Sequence, residues 1–238
     1  MISFIIPAYN EERLLAATLA AIHTAGGKYA ERYEVVVADD ASTDQTAVIA
    51  RDHGARVITV ANRQIAATRN AGAKAATGDI LIFVDADTLV NEKVVREAIA
   101  AVREGASGGG AAVAFDGRVP LYARLMLPLL VLSFRAAGLA AGCFMFCSRQ
   151  AFETAGGFNE SYFGAEEIVF SRALKRQGRF VVLRDSVMTS GRKLRAYSGG
   201  ELLVMLGRLV FRGPEAVKRR PGMELWYADR REDPRGDA

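Results

Sequence analysis

Along the first half of the chain, short apolar runs alternate with longer segments of helical period. Ile2 to Ile6 is a near-continuous apolar run of strand length, the pattern of a strand covered on both faces. Beyond it Leu15, Leu19 and Ile22 recur at helical spacing, with Asn10 placed to cap that helix and Glu11 and Glu12 suited to its positive end. The unit repeats, with strands predicted over 34–38, 56–60 and 80–84 and helices over 46–53 and 65–76. Such alternation implies a parallel sheet with helices on both faces. The second half is less regular. It predicts a helix over 94–102, a strand over 111–115, a mostly apolar helix over 120–137, a strand over 142–147, a helix over 166–177 and a short last strand over 180–183. From Gly199 the segment ELLVMLGRLVF reads as an amphipathic helix stopped by Gly213 and Pro214, and 230–238 reads as a disordered end.

Composition narrows this picture. Of 238 residues half are hydrophobic and 24% charged, which excludes disorder as the main state and fits one packed domain with an appendage. Residues 1–191 carry 20 basic and 20 acidic side chains, whereas 192–238 carry 11 and 7, so the whole excess of +4 lies in the tail. A neutral body with a basic end excludes a broad nucleic-acid footprint and fits either a local contact with phosphate or an anionic surface, or a solvated tail. Cys143 and Cys147 are too few for a disulfide framework and imply a reducing compartment. The N-terminus enters a strand without a basic leader, which predicts a cytoplasmic protein with no secretory signal. The apolar stretch 125–147 is broken by Pro128, Arg135 and Gly138, which argues against a membrane span and leaves 120–137 as either a core helix or an interfacial one.

In open α/β sheets ligands bind beyond the carboxyl ends of the strands. Those ends carry Pro7, Ala8, Tyr9 and Asn10 after the first strand, Asp39 and Asp40 after the second, and Asp85 and Asp87 after the fourth. Asp85 and Asp87, at i and i+2, share a side if the strand persists; two such carboxylates suit Mg2+ or Mn2+ together with diphosphate oxygens, though an Asp-Ala-Asp alone reads more readily as a strand-end turn. Glu166 and Glu167 open a helix, where one can act as a general base or both can complement the helix dipole. Arg63, Arg69, Arg192 and Lys193 are candidates for pairing with phosphate, with surface solvation the plain alternative. No P-loop and no G-x-G-x-x-G follow the first strand, and His23 and His53, the two histidines, leave little room for a His triad or a zinc site.

Four stretches in order, SFIIPAYNEERLLAATLAAI at 3–22, VVVADDASTDQT at 35–46, TRNAGAKAATGDILIFVDADT at 68–88 and GGFNESYFGAEEIVFSRALKRQG at 156–178, resemble the family 2 glycosyltransferases, inverting enzymes of the GT-A fold. The resemblance implies a Rossmann-like, mostly parallel sheet flanked by helices over 1–191, with a basic helical C-terminal extension over 192–238. It implies a nucleoside pocket lined by Pro7, Ala8, Tyr9, Glu11, Asp39 and Asp40, with Arg69 near the nucleotide. Asp87 would be the metal ligand and Asp85 would stand near the ribose or metal. Glu167 would be the base in place of the family's usual Asp, with Glu166 beside it. Gly156, Gly157 and Phe158 would shape the acceptor site, and Arg192 and Lys193 would meet the diphosphate or acceptor. The implied partners are a nucleotide-diphosphate sugar, an acceptor hydroxyl, Mg2+ or Mn2+, and an anionic membrane surface met peripherally at the inner face, with no nucleic acid. Transfer to a polyprenyl phosphate and a catalytically silent sugar-nucleotide-binding domain are the competing expectations.

Overall fold

The structure is a computed structural model that describes residues 1–28, 32–117, 119–196, 200 and 218. The extension predicted from Gly199 and the end over 230–238 lie outside the described residues, apart from Gly200 and Lys218. Along the chain run β1 (Ile2–Ala8), α1 (Leu15–Gly27), β2 (Tyr33–Asp40), α2 (Thr46–Asp52), β3 (Arg56–Val60), α3 (Ile65–Ala75), β4 (Ile80–Val84) and β5 (Thr88–Leu89). There follow α4 (Glu92–Arg103), β6 (Gly108–Phe115), α5 (Leu121–Ala136), β7 (Phe144–Ser148), α6 (Arg149–Ala155), α7 (Glu166–Lys175), β8 (Phe180–Thr189) and α8 (Arg192–Ala196).

One eight-stranded sheet has the order β3-β2-β1-β4-β7-β6-β8-β5. The first four strands are parallel, as expected from the alternating pattern. Beyond them β7 runs antiparallel to both β4 and β6, and β5 runs antiparallel to β8, while β6 and β8 are parallel. Successive strand residues serve opposite faces. Phe4, Ile6, Val35, Val37, Ile82 and Val84 pack with Leu15, Leu19 and Ile22 of α1 and Val94, Val95 and Ile99 of α4. Ile5, Val36, Leu81, Phe83 and Met145 face the other way, against Ala66 and Ala73 of α3 and Phe170 and Leu174 of α7. Because both faces are covered, β1 and β4 read as continuous apolar runs.

The differences from the sequence reading have local causes. Asn10 does not cap α1: its backbone is left-handed at φ 50°, and its side chain accepts from the Thr43 N–H while the helix begins after Leu14 without a side-chain cap. β8 runs ten residues, because Arg184, Ser186 and Met188 point outward while Leu183, Val187 and Thr189 point in; the polar outward residues hide the strand from an apolar-run reading. α6, unforeseen, is capped by Ser148, which accepts from the Ala151 N–H, and stopped by left-handed Gly156. The histidines serve packing: His23 hydrogen-bonds the Tyr33 hydroxyl and the His53 carbonyl. Both cysteines are free thiols.

α3 lies close to the sheet because Gly72 has no side chain; a Cβ there would stand 2.5 Å from Cγ2 of Ile5, which is fully buried and β-branched. Gly72→Ala is therefore expected to destabilise the protein by about 1–3 kcal/mol despite alanine's better helix propensity. Urea denaturation of the two proteins measures this.

Candidate active site

The parallel order places β1 between β2 and β4, so three carboxyl ends stand side by side, with Ala8 in register with Asp39. Asp39 is buried and accepts from the Ser42 N–H. Tyr9 follows β1, and its ring lies 3.6 Å under the Arg63 guanidinium. Asp40 is occupied by backbone beside this edge. Its two oxygens accept from the N–H groups of Asn62, Arg63 and Gln64 and from the Thr68 hydroxyl, so it holds the turn into α3.

The middle of the site is a guanidinium. Arg69 on α3 is only 1% exposed. Its Nη1 donates to Glu166 Oε1 at 2.7 Å, and its Nη2 donates to Asp85 Oδ1 at 2.8 Å and to the Gly142 carbonyl at 2.9 Å. The group also lies over the Phe158 ring at 5.2 Å. Burial works against its charge, but Asp85 and Glu166 outweigh that and push its pKa further above the ordinary arginine value.

A second guanidinium stands at the other acidic residue. Arg192, at the start of α8, donates through Nη2 to Glu11 Oε1 at 2.6 Å and to Asp87 Oδ2 at 3.0 Å. Asp87 Oδ1 accepts from the Thr189 hydroxyl at 3.3 Å, and the Thr88 hydroxyl donates to that of Thr189. The Asp87 carbonyl accepts from the Ser190 N–H, so the end of β8 is fastened to the Asp85–Asp87 turn through backbone as well as side chains.

Glu167 sits one residue beyond the Arg69-bound Glu166 at the first turn of α7, a helix that starts from left-handed Ala165 with no side-chain cap. Its Cβ and Cγ lie at van der Waals distance from where a Cβ on Gly142 would be. Burial, then the neighbouring Glu166 and Asp85 charges, push its carboxyl up to about 8. The two glutamates thus differ in kind: Glu166 is bound to Arg69, whereas Glu167 takes up protons near neutral pH.

Gly156, Gly157 and Phe158 form a support beneath the site. Both glycines are left-handed, Phe158 is 1% exposed among Phe83, Phe152 and Phe170, and Asn70 fixes its backbone by accepting from the Phe158 N–H and donating to its carbonyl. Phe158 therefore faces the core and Arg69. The site accordingly brings together Glu11, Arg69, Asp85, Asp87, Glu166, Glu167 and Arg192, with Pro7, Ala8, Tyr9 and Asp39 along the neighbouring edge. The Lys193 side chain lies outside the described residues. Sequence reasoning missed Gly142, Cys143 and Thr189. Only Thr189 left a signal, as the residue just before the basic turn.

The donors suit a hard divalent cation. Five carboxyl groups share the cluster with two guanidiniums, which leaves surplus negative charge even with Glu167 protonated. Burial and the charges of Asp85 and Asp87 push the Cys143 thiol well up, so it stays neutral and offers no thiolate. Among the described residues no three His, Cys, Asp or Glu side chains gather into a ready cation cage. Asp85 and Asp87 can supply part of a coordination shell, with phosphate oxygens and water to complete it.

The family model described as Glycosyl transferase family 2 matches residues 3–154. The 4,4'-diaponeurosporenoate glycosyltransferase of Staphylococcus haemolyticus is 41% identical over 105 residues, 41% of this chain and 27% of that one. Across the curated relatives, the match spans from about a fifth to just under half of the relative's length. Among solved structures, the mannosyltransferase PcManGT of Pyrobaculum calidifontis, in complex with GDP-Man and Mn2+, superposes with a TM-score of 0.66 at 20% identity, covering 86% of this chain and 59% of that one. Staphylococcus aureus TarS 1–349 with UDP-GlcNAc superposes at 0.61 and 23% identity, covering 87% and 66%. The mixed, mostly parallel sheet flanked by helices is thus the GT-A arrangement.

The raised carboxyl of Glu167 has a consequence for stability. Because its folded pKa lies above the unfolded value of 4.5, the native state holds the extra proton between about pH 4.5 and 8, and the stabilisation this represents is lost as pH rises through that window. Glu167→Gln removes the dependence. Relative to wild type, the variant is expected to gain at least about 1 kcal/mol, the worth of one pKa unit, between pH 5 and pH 8.5. Thermal or urea denaturation at the two pH values tests it; parallel curves for the two proteins would assign the proton elsewhere.

Proposed function

Because the chain belongs to glycosyl transferase family 2, we propose that it moves a sugar from a nucleoside-diphosphate sugar to an acceptor hydroxyl with inversion at the anomeric carbon. The observation that carries this reading is the double grip of Arg69. One terminal nitrogen holds Asp85 at the donor edge and the other holds Glu166, so the proton-accepting Glu167 is brought beside the acids at the end of β4. GDP-Man and UDP-GlcNAc in the structural neighbours support a nucleotide-sugar donor, and the Mn2+ beside GDP-Man supports a divalent cation, Mg2+ or Mn2+.

In this reading Pro7, Ala8, Tyr9 and Asp39 line the nucleoside pocket, with the Tyr9–Arg63 stack forming one wall. Asp87 and Asp85 are the ligands for the cation, which supplies neutralisation of the charge developing on the leaving diphosphate. Arg192 adds a guanidinium at the same place. Glu167 takes the proton of the acceptor hydroxyl as that oxygen attacks. Arg69 is a positioning residue: it fixes Asp85, Glu166 and the Gly142 carbonyl, and leaves Glu167 exposed to a neighbour's charge that raises its basicity. The catalytic unit comprises residues 1–191 together with the docked start of the extension, 192–196, whose Leu194 carbonyl accepts from the Tyr122 hydroxyl and whose Arg195 donates to Asp116.

The acceptor is carried at a lipid surface. On α5 the exposed side chains of Leu121, Leu125, Met126, Leu129 and Leu132 fall within an arc of roughly 140°. Arg124 and Arg135 are also exposed on this helix, and its sequence holds no acid, so the surface suits an anionic bilayer. None of the described helices is long and apolar enough to cross a membrane. The same surface favours a second reading in which the acceptor is a polyprenyl phosphate, already ionised and in little need of a base.

Three measurements separate these readings. In wild type, a nucleoside diphosphate at a hundredfold excess over its dissociation constant is expected to stabilise the protein by about 2.7 kcal/mol in the presence of Mn2+, and Asp87→Ala abolishes that metal-dependent gain. Glu167→Gln is expected to lower kcat by about 10²–10⁴-fold on a hydroxyl acceptor, with the wild-type rate rising as pH approaches 8; full activity of the variant with lipid-dependent turnover selects the polyprenyl phosphate, and nucleotide binding without any turnover selects a silent binding domain. Sedimentation with phosphatidylserine vesicles at moderate salt is expected to pellet wild type and to release a Leu125→Asp, Leu129→Asp protein; no pelleting of wild type removes the membrane surface.

A further inference from the structure

Arg192 holds the carboxylate that the proposed function gives to the metal. A single nitrogen, Nη2, reaches both Asp87 Oδ2 and Glu11 Oε1. These carboxylates come from the ends of two neighbouring strands, Glu11 from the turn after β1 and Asp87 from the turn after β4. Glu11 is 7% exposed, and a carboxylate this buried requires a counter-charge.

The backbone that carries Arg192 is immobilised against the same turn. The Ser190 N–H donates to the Asp87 carbonyl, and the Gly191 N–H donates to Asp116 Oδ1 at 2.7 Å. A Cβ on Gly191 would stand 2.7 Å from Arg195 Nη1 and 2.8 Å from the Asp116 carbonyl oxygen, so this position is closed to any other residue without a shift. Arg192 therefore does not ride on a loose lid: its Cα is set, and the torsions of a long side chain remain. That side chain is 21% accessible, more than those of Glu11 and Asp87, so an incoming anion meets the guanidinium before it meets either carboxylate.

Resting on the donor-site reading above, we propose that Arg192 is an exchangeable counter-ion that makes divalent-cation binding conditional on a nucleoside diphosphate. Without ligand the guanidinium neutralises Asp87 and Glu11 and competes with a cation for Asp87. When a diphosphate arrives, the guanidinium passes from Asp87 to a phosphate oxygen while Glu11 keeps its hold. Asp87 is then released to the cation that enters with the diphosphate. The absence of any three-ligand cage among the described residues points the same way, since a cation that needs phosphate oxygens to complete its shell has no stable seat before the nucleotide comes. The result is positive coupling between cation and diphosphate that is reciprocal by thermodynamic necessity.

Calorimetric titration of Mn2+ alone, of UDP and GDP with and without Mn2+, and of UMP tests the idea on wild type, Arg192→Gln and the double variant Glu11→Gln, Arg192→Gln. The double variant preserves the net charge by removing the Glu11 carboxylate together with the Arg192 guanidinium, which keeps the test open if the single variant fails to fold. In wild type, Mn2+ alone is expected to bind weakly and to tighten the diphosphate by about tenfold or more. In the variants, Mn2+ alone binds about tenfold tighter, the diphosphate binds about tenfold weaker in the presence of Mn2+, and UMP is unchanged, because a monophosphate offers no second phosphate to the guanidinium. Unchanged affinity for Mn2+ alone in the double variant overturns the exchange, as does coupling that survives the loss of Arg192, while the donor-site reading stands. A wild-type protein that binds no nucleotide at all overturns both.

Discussion

A guanidinium sealed from solvent organises this molecule. Arg69 cannot lose its proton, so its burial is tolerable only if its donors meet carboxylates and carbonyls in good geometry. Asp85, Glu166 and the Gly142 carbonyl do this at 2.7 to 2.9 Å, and the Phe158 face lies against the group. These partners come from the end of β4, the start of α7, the turn before β7 and the turn after α6. An unmet charge at this depth costs several kcal/mol, so four otherwise independent segments must arrive together. The Asn70 contacts with Phe158 make the neighbouring residue of α3 part of the same fastening.

From that fastening follows the division of labour among the acids. Two adjacent glutamates on one helix turn diverge by about a hundred degrees. One reaches Arg69, and the other is left buried and near like charges, with its carboxyl raised to about 8. The same logic operates at the other end of the cluster, where Arg192 satisfies Glu11 and Asp87 together. Each guanidinium binds one acid of the Asp85–Asp87 pair and one acid from elsewhere. The site is thus two ion-paired arms meeting at a strand end, neither of which closes without the second half of the chain.

The family match ends at residue 154, yet Glu166, Glu167, Thr189 and Arg192 all lie beyond it. The parallel half of the sheet, with the carboxyl ends of β1, β2 and β4, belongs to the shared part. Of the remaining strands, β5, β6 and β7 also lie within the matched residues and only β8 lies beyond them; together they run in mixed directions and bring the later groups to the same edge. The apolar stripe of α5 also falls in this second half, close in sequence to Gly142 and Cys143, whose carbonyls meet Arg69 and the Asp85 N–H. The exposed apolar stripe and the backbone of the Arg69 cluster are therefore adjacent along the chain.

Periodicity by itself determined the first four strands and the helices between them, because a strand covered on both faces must be apolar throughout and its helices must repeat at 3.6 residues. Motif order determined that Pro7 to Glu11, Asp39, Arg69, Asp85, Asp87 and the Glu166–Glu167 pair are functional candidates. Only the tertiary structure decided which acid does what. Asp40 turned to hold the Asn62–Gln64 backbone, Phe158 turned inward, Glu166 rather than Glu167 met Arg69, and Arg192 came to rest on Glu11, 181 residues away in the chain. A carboxylate's role is set by the partners and burial around it, and those are supplied by segments whose convergence no local pattern encodes. The length of β8 was hidden for a related reason: its outward Arg184 and Ser186 interrupt the apolar run because water, not a neighbour, covers them.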